Sequence, residues 1–512
     1  MYRQTVLAPA RSRALPAALL VGIALAVWFC AAAIATPFDH DESQYIAGAS
    51  FSTYLLIFRD FLQLQPPLHS WAFAPLAALF PNHMVLAMRL ATAVTALCTL
   101  LTLWRALRVA GISRDSAAIA TLLIGATAAF QFTGSVVRND MLPTLLSSMG
   151  LLAALMALRH CAPRYWLTAG SLFGLAIATK LNFAPLGLMT GLFVISAGGR
   201  CGFRAACWLA AGALIGMTPL LLAWMLAPDA FLYGILTYGA TAPFAWYTAN
   251  GAGDELTLVG KISDLLKYLA LGPALAALTV LGINWITTRQ RARSAGRRLA
   301  IWMIGGALVG AALPTPTQIQ YLMPLLPPLA LALGYLLDDA RRWSLARRQT
   351  LLGVLCVMTV PGLVETAIGI GAMVRNGSPV LEADAAARWA GATVRRLSGD
   401  DDIATLSPHL ISSSGLELDP RFATGPFAYR SGWTMGTQLA RRLHVMIPAT
   451  LKDMDRDPPA AILTGYEDGT RNLPKRPDDG LIAYARSRGY RMLAMPDGVG
   501  RLYVRPLRVR RR

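Results

Sequence analysis

Four consecutive residues, Asp39-His40-Asp41-Glu42, set three carboxylates and an imidazole directly after the first long apolar run of the chain. Arg138-Asn139-Asp140 and Lys180 stand where later apolar runs begin or end. A carboxylate can take the proton of an attacking hydroxyl or hold a divalent ion, and Arg or Lys can hold a phosphate through charge-assisted hydrogen bonds. This mixture suits transfer from a phosphorylated substrate, provided the intervening segments bring the groups together. Acids at a membrane surface are often merely solvated. The company of Arg138, Asp140 and Lys180 is what argues for a site.

Positioning them falls to apolar helices. The chain has 512 residues, 55% hydrophobic and 15% charged, against about 25% charged in soluble domains. Apolar runs recur at 14–36, 84–104, 116–135, 141–158, 165–180, 182–197, 206–227, 262–287, 299–313, 319–337 and 350–372. Most are near the roughly 20 residues needed to cross a bilayer core. The first exceeds the apolar stretch of a signal peptide and is expected to remain as a helix. Beyond 375 the composition becomes mixed and charged. The spacing therefore predicts a polytopic α-helical membrane protein with about eleven transmembrane helices (1–375), then a soluble α/β domain (376–512). In that domain helices are expected at 381–397 and 481–488, and strands at 402–406, 460–463 and 501–504.

The net charge of +19 does not indicate nucleic acid, because the basic residues sit in short loops and no RNA- or DNA-binding motif accompanies them. Threaded from a cytoplasmic N-terminus, nineteen arginines fall in inside loops. Outside loops before residue 373 carry only Arg59, Arg138, Lys180, Lys261 and Lys267, as the positive-inside rule requires. This places the acidic cluster and the C-terminal domain on the outer face, periplasmic or extracellular, of a multi-pass protein. The Ala/Arg-rich, Lys-poor usage suggests a bacterial inner (plasma) membrane. None of the six cysteines lies after residue 373, so that domain must hold together without disulfides.

Two outside loops are long. In 37–83 the apolar stretch 68–80 is too short to span and is interrupted by Pro75, so it is expected to lie in the interface. The loop 228–261 carries Phe231, Tyr233, Tyr238, Phe244, Trp246 and Tyr247, an interfacial belt or a stacking surface. His40, His69 and His83 match no metal-ligand spacing, and interfacial or capping roles fit them better. Arg89, inside the second run, fits snorkelling and donor binding equally. His409 and His444 show no recognisable partner.

Asp41-Glu42-x-x-Tyr45 resembles the Asp-Glu-x-x-Tyr motif of the GT-C glycosyltransferases, in particular their protein O-mannosyltransferase and aminoarabinose-transferase branch. Gln65-Pro66-Pro67-Leu68 with Trp71, Arg138-x-Asp140, Thr179-Lys180 and Tyr321-Leu322-x-Pro324 resemble further elements of that branch, in the same order. The resemblance covers about the first 340 residues. It implies an inverting transfer from a polyprenyl-phosphate sugar to an envelope acceptor such as lipid A, lipopolysaccharide core or another glycan. Asp41 would be the general base, and Glu42 and Asp140 would support it or hold a divalent ion. Arg138 and Lys180 would face the donor phosphate, with Tyr45, Gln65 and Tyr321 also binding substrate. No cofactor is required by that scheme, and whether a metal takes part is left open.

Two departures stand out. Leu64-Gln65 replaces the Glu-Lys of aminoarabinose-using members, and Gln320 stands where a basic residue is common. The Trp-Trp-Asp motif of oligosaccharyltransferases is absent. A transporter or flippase of lipid-linked glycans is the alternative. Such proteins usually set their charges near the midplane, on broken helices within repeated halves. Here the acids lie at span ends on one face.

Overall fold

The computed structural model describes residues 14–196, 199–288, 294–467 and 476–507. Each of the eleven expected apolar runs is helical, but they do not all cross as single rods. Among the described residues, five helices are long and apolar enough to span: Ala18–Ala35, Pro81–Val109, Met141–His160, Ile319–Ala340 and Leu345–Asn376. Three more candidates are bent pairs, Arg114–Gly125 with Ala128–Ser135 (68°), Gly202–Gly216 with Thr218–Leu226 (42°), and Leu258–Ala270 with Ala274–Asn284 (97°).

The third bend corrects the expected run at 262–287. Leu271-Gly272-Pro273 breaks it, with Gly272 at φ 131°, a conformation that only glycine adopts readily. Leu258–Ala270 is strongly amphipathic and leaves Leu258, Val259, Ile262 and Leu266 exposed. That pattern suits a helix lying along a membrane surface.

Helices Pro163–Thr179 and Gly199–Gly216 cross in unusually close contact. Gly170 and Gly174 face Gly212 and Gly216, four residues apart on each helix, and a Cβ at any of them would fall within 2.3 Å of a backbone oxygen of the partner helix. Small residues at this spacing let helices pack where lipid supplies no hydrophobic drive. The consequence is local: the end of Pro163–Thr179, and therefore Lys180, is fixed against the bundle.

The C-terminal domain begins after Gly377 (φ 95°), with Ser378 capping helix Pro379–Ser398. Its strands are β1 (Asp402–Thr405), β2 (Glu417–Leu418), β3 (Ala461–Thr464), β4 (Arg491–Ala494) and β5 (Arg501–Val504). They form one sheet in the order β2-β1-β3-β5-β4, parallel across the first three and antiparallel at β3-β5-β4. The domain does not hang free. One apolar cluster runs from Phe51, Phe58, Phe61 and Leu62 of the first long loop into Ala387, Val394 and Ile403 of the domain. Asp384 bonds His83 at 3.2 Å, and the Ser378 hydroxyl donates to the Ile34 carbonyl at 2.7 Å. The domain therefore lies on the same face as the acidic loop.

Candidate active site

Asp41 and Asp140 occupy the N-cap positions of helices Glu42–Phe51 and Met141–His160, yet neither side chain makes a capping bond. Lys180 ends helix Pro163–Thr179. The three helix ends meet, and Arg138 lies between them. Its guanidinium contacts Asp39 and Asp41 and reaches Asp140 at 3.3 Å, while Lys180 contacts the other Asp140 oxygen. Arg138, Asp140 and Lys180 are buried. Buried charges persist only when paired, and the ends of three helices supply that pairing from residues far apart in sequence.

Burial pushes the Asp41 carboxyl up, but the Arg138 guanidinium, His40 and Arg430 together hold it below the usual carboxylate range. Asp41 is therefore an ionised acceptor near the edge of a cavity of about 470 Å³. Asp39, Tyr45, Gln65, Lys180 and Tyr321 line the same cavity, and Tyr321 presents its ring to Lys180 at 5.1 Å. Gln65 accepts a bond from Asn139 at 3.1 Å, and Asn139 also donates to the Thr179 carbonyl. The Pro66-Pro67 loop is thereby tied to the Arg138 loop.

Glu42 is placed otherwise. It has no exposed surface and does not line the cavity. Its carboxylate accepts from the backbone N–H of Val137 (2.9 Å) and of Asp39 (3.1 Å), and receives a fork from Arg89. Arg89 neither snorkels nor reaches the cavity. It also donates to the carbonyls of Ala33 (3.1 Å), Thr36 (2.6 Å) and Pro37 (3.2 Å), in the last turn of the first helix and just after it.

The three histidines do not converge. His40 stands between Asp39 and Asp41, His83 pairs with Asp384, and His69 is buried against Phe73 and Tyr45. Burial, then Lys180, lowers His69 to about 3, so it is neutral. Asp39, His40 and Asp41 offer ligand atoms within 4.8 Å of one another. Arg138 holds the Oδ2 atom of each of these carboxylates, while their Oδ1 atoms face the His40 ring.

Tyr238, Trp246 and Tyr247 of the second long loop line the cavity, in keeping with the stacking alternative for that loop. Phe427, Arg430 and Ser431 of the C-terminal domain also line it and were not expected from the sequence. The domain has no recognisable motif.

ArnT from Cupriavidus metallidurans in the apo state superposes with a TM-score of 0.65 over 96% of this chain and 98% of that one, at 16% identity. The same protein bound to undecaprenyl phosphate gives 0.61 over 96% and 98%, at 15% identity. The chain has the GT-C fold. The GT-C match extends to the Archaeoglobus fulgidus oligosaccharyltransferase in complex with Zn and sulfate, at 0.52 over 87% and 68%, with 12% identity. The family model for dolichyl-phosphate-mannose-protein mannosyltransferase matches residues 64–224. That window holds Gln65, Arg138, Asp140 and Lys180 and omits Asp41 and Tyr321. No curated protein sequence matches the chain.

Proposed function

We propose that the protein is an inverting glycosyltransferase that moves a sugar from a polyprenyl-phosphate donor to a cell-envelope acceptor at the outer face of a bacterial inner membrane. The observation that carries this reading is the ionised Asp41, held by Arg138 at the edge of a cavity walled by helix ends, within a GT-C fold. Asp41 takes the proton of an acceptor hydroxyl, whose oxygen attacks the anomeric carbon from the face opposite the phosphate. The bond from the anomeric carbon to the phosphate oxygen breaks, and the electron pair leaves with the polyprenyl phosphate. Inversion follows from this single displacement. Arg138 keeps Asp41 charged and oriented between turnovers, and Asp140 holds both Arg138 and Lys180 in place.

The acceptor class is lipid A, lipopolysaccharide core or another envelope glycan, all of which present hydroxyls on that face. Supply of the donor follows from topology. Nucleotide sugars are made in the cytoplasm, whereas a lipid carrier can bring a sugar to an outer site. Purified protein should transfer sugar from a polyprenyl-phosphate donor and show no turnover with nucleotide sugars alone. Efficient transfer from a nucleotide sugar without lipid would overturn the reading. Mass spectrometry of envelope lipids and glycans, with and without the protein, should identify the acceptor by one missing sugar.

A further inference from the structure

Three cationic side chains, Arg138, Lys180 and Arg430, line the cavity beside the imidazole of His40. Two are already engaged. Arg138 spreads its guanidinium over Asp39, Asp41 and Asp140, and Lys180 is held by Asp140. Three carboxylates against two cations leave this cluster with net negative charge, so a phosphate approaching Arg138 or Lys180 meets donors that are shared and acids that repel it.

Arg430 differs. It ends the short helix Pro426–Arg430 of the C-terminal domain, and its guanidinium lies 4.7 Å from the ring centres of both Trp246 and Phe427. Arg430 stabilises the Asp41 and Glu467 carboxylates through space, but among the described residues no carboxylate lies within the 4.0 Å of an ion pair with it. A guanidinium stacked on aromatic faces keeps its edge N–H groups free for a bidentate anion. Trp246 in turn stacks on Trp433 of the domain at 6.0 Å, so the platform beneath Arg430 is built from both halves of the chain. The segment that carries Trp246 also exposes Leu236 and Phe244. A cation with no paired carboxylate, seated on a segment that exposes apolar side chains, suits a lipid phosphate better than a free one.

We propose that Arg430 is the cation that binds the donor's phosphate, so that the C-terminal domain completes the site. This rests on the polyprenyl-phosphate reading above. The phosphate of the donor carries one negative charge as a diester and gains a second when the sugar leaves. A fixed guanidinium therefore binds the leaving group more strongly than the ground state, which lowers the barrier.

The test uses the purified full-length protein, titrated with undecaprenyl phosphate and, separately, with undecaprenol, which has the same chain without the charge. Arg430→Ala should lose about 10- to 100-fold in affinity for undecaprenyl phosphate, the range for one charged hydrogen-bonded contact. It should lose nothing for undecaprenol, and Arg430→Lys should fall between. If wild type prefers undecaprenyl phosphate and Arg430→Ala keeps that preference, the role of Arg430 is wrong while the donor class stands. Equal losses for both lipids would mark a merely structural role and overturn the proposal. If wild type itself fails to prefer the phosphate, the donor reading fails with it.

Discussion

Arg89 and Glu42, 47 positions apart in the chain, form a forked ion pair with no exposed surface on either side chain. Through it the end of the first helix, the acidic turn and the Arg138 loop are tied into one body. Glu42→Gln keeps the shape but leaves a buried guanidinium uncompensated, at a cost of about 3–5 kcal/mol for such pairs. The variant should unfold at a clearly lower temperature in detergent. Replacing both partners, Glu42→Gln with Arg89→Met, should recover part of the loss, because no charge is then stranded. Wild-type stability combined with lost transfer in Glu42→Gln would return Glu42 to a direct chemical role.

Asp41→Asn should reduce transfer by roughly 10²–10⁴-fold, the usual contribution of a positioned general base. Expression and insertion should be unchanged, since an amide can still accept from Arg138. Asp39→Asn should be milder. Near-normal turnover by Asp41→Asn would move the base to Asp39 or Asp140.

The site was legible where chemistry coincided with helix ends. Asp41, Asp140 and Lys180 flank apolar runs, and that placement can be read along the chain. Arg89 could not be resolved in this way, because its partner lies across the fold and no local pattern encodes a tertiary ion pair. Arg430 was missed for the same reason: it becomes a cavity residue only once the C-terminal domain docks. In that domain β2 has two residues and β4 is a mostly exposed edge strand, too short or too little patterned to show a period of two. The break at Leu271-Gly272-Pro273 carried a readable turn signature. The apolar composition on both sides concealed it.

The pH dependence should report the Asp41–Arg138 contact. Because the folded Asp41 carboxyl is held below its ordinary range, its ionised form is favoured by the fold. That stability is present above the unfolded value, near 4, and is lost as pH falls through the lower folded value. The acid limb of kcat/KM for wild type should therefore lie below the ordinary carboxylate range. Arg138→Gln removes the neighbouring cation while burial remains, so the limb should move to higher pH as well as dropping in height. A profile that drops without shifting would show that Arg138 does not set the charge of Asp41.

A reporter enzyme that works only outside the cytoplasm, fused after residue 512, should be active. The expectation rests on the distribution of arginines and on the docking of the C-terminal domain against the acidic loop. Activity confined to a cytoplasmic reporter would invert the topology and remove the case for a lipid-borne donor.

Gly425 tests whether docking of the C-terminal domain matters to the chemistry. It precedes the helix that carries Arg430, at φ 57° and ψ −135°, a conformation essentially reserved for glycine and worth about 1–3 kcal/mol of strain to other residues. It also approaches the turn of the acidic loop so closely that a Cβ would lie 2.3 Å from the Ser43 hydroxyl oxygen. That hydroxyl is itself fixed by donating to the His40 carbonyl at 2.6 Å. Gly425→Val should therefore push helix Pro426–Arg430 away from the acidic loop and cut transfer. The sheet and its core, which do not depend on this contact, should stay folded, as hydrogen exchange across β1, β3 and β5 can verify. Removing the obstructing hydroxymethyl with Ser43→Gly relieves the clash but not the backbone strain, so Gly425→Ala with Ser43→Gly should recover activity only in part relative to Gly425→Ala. If Gly425→Val transferred sugar at the wild-type rate, close seating of the domain on the acidic loop would be irrelevant to turnover, and the domain would be a passenger on the membrane enzyme.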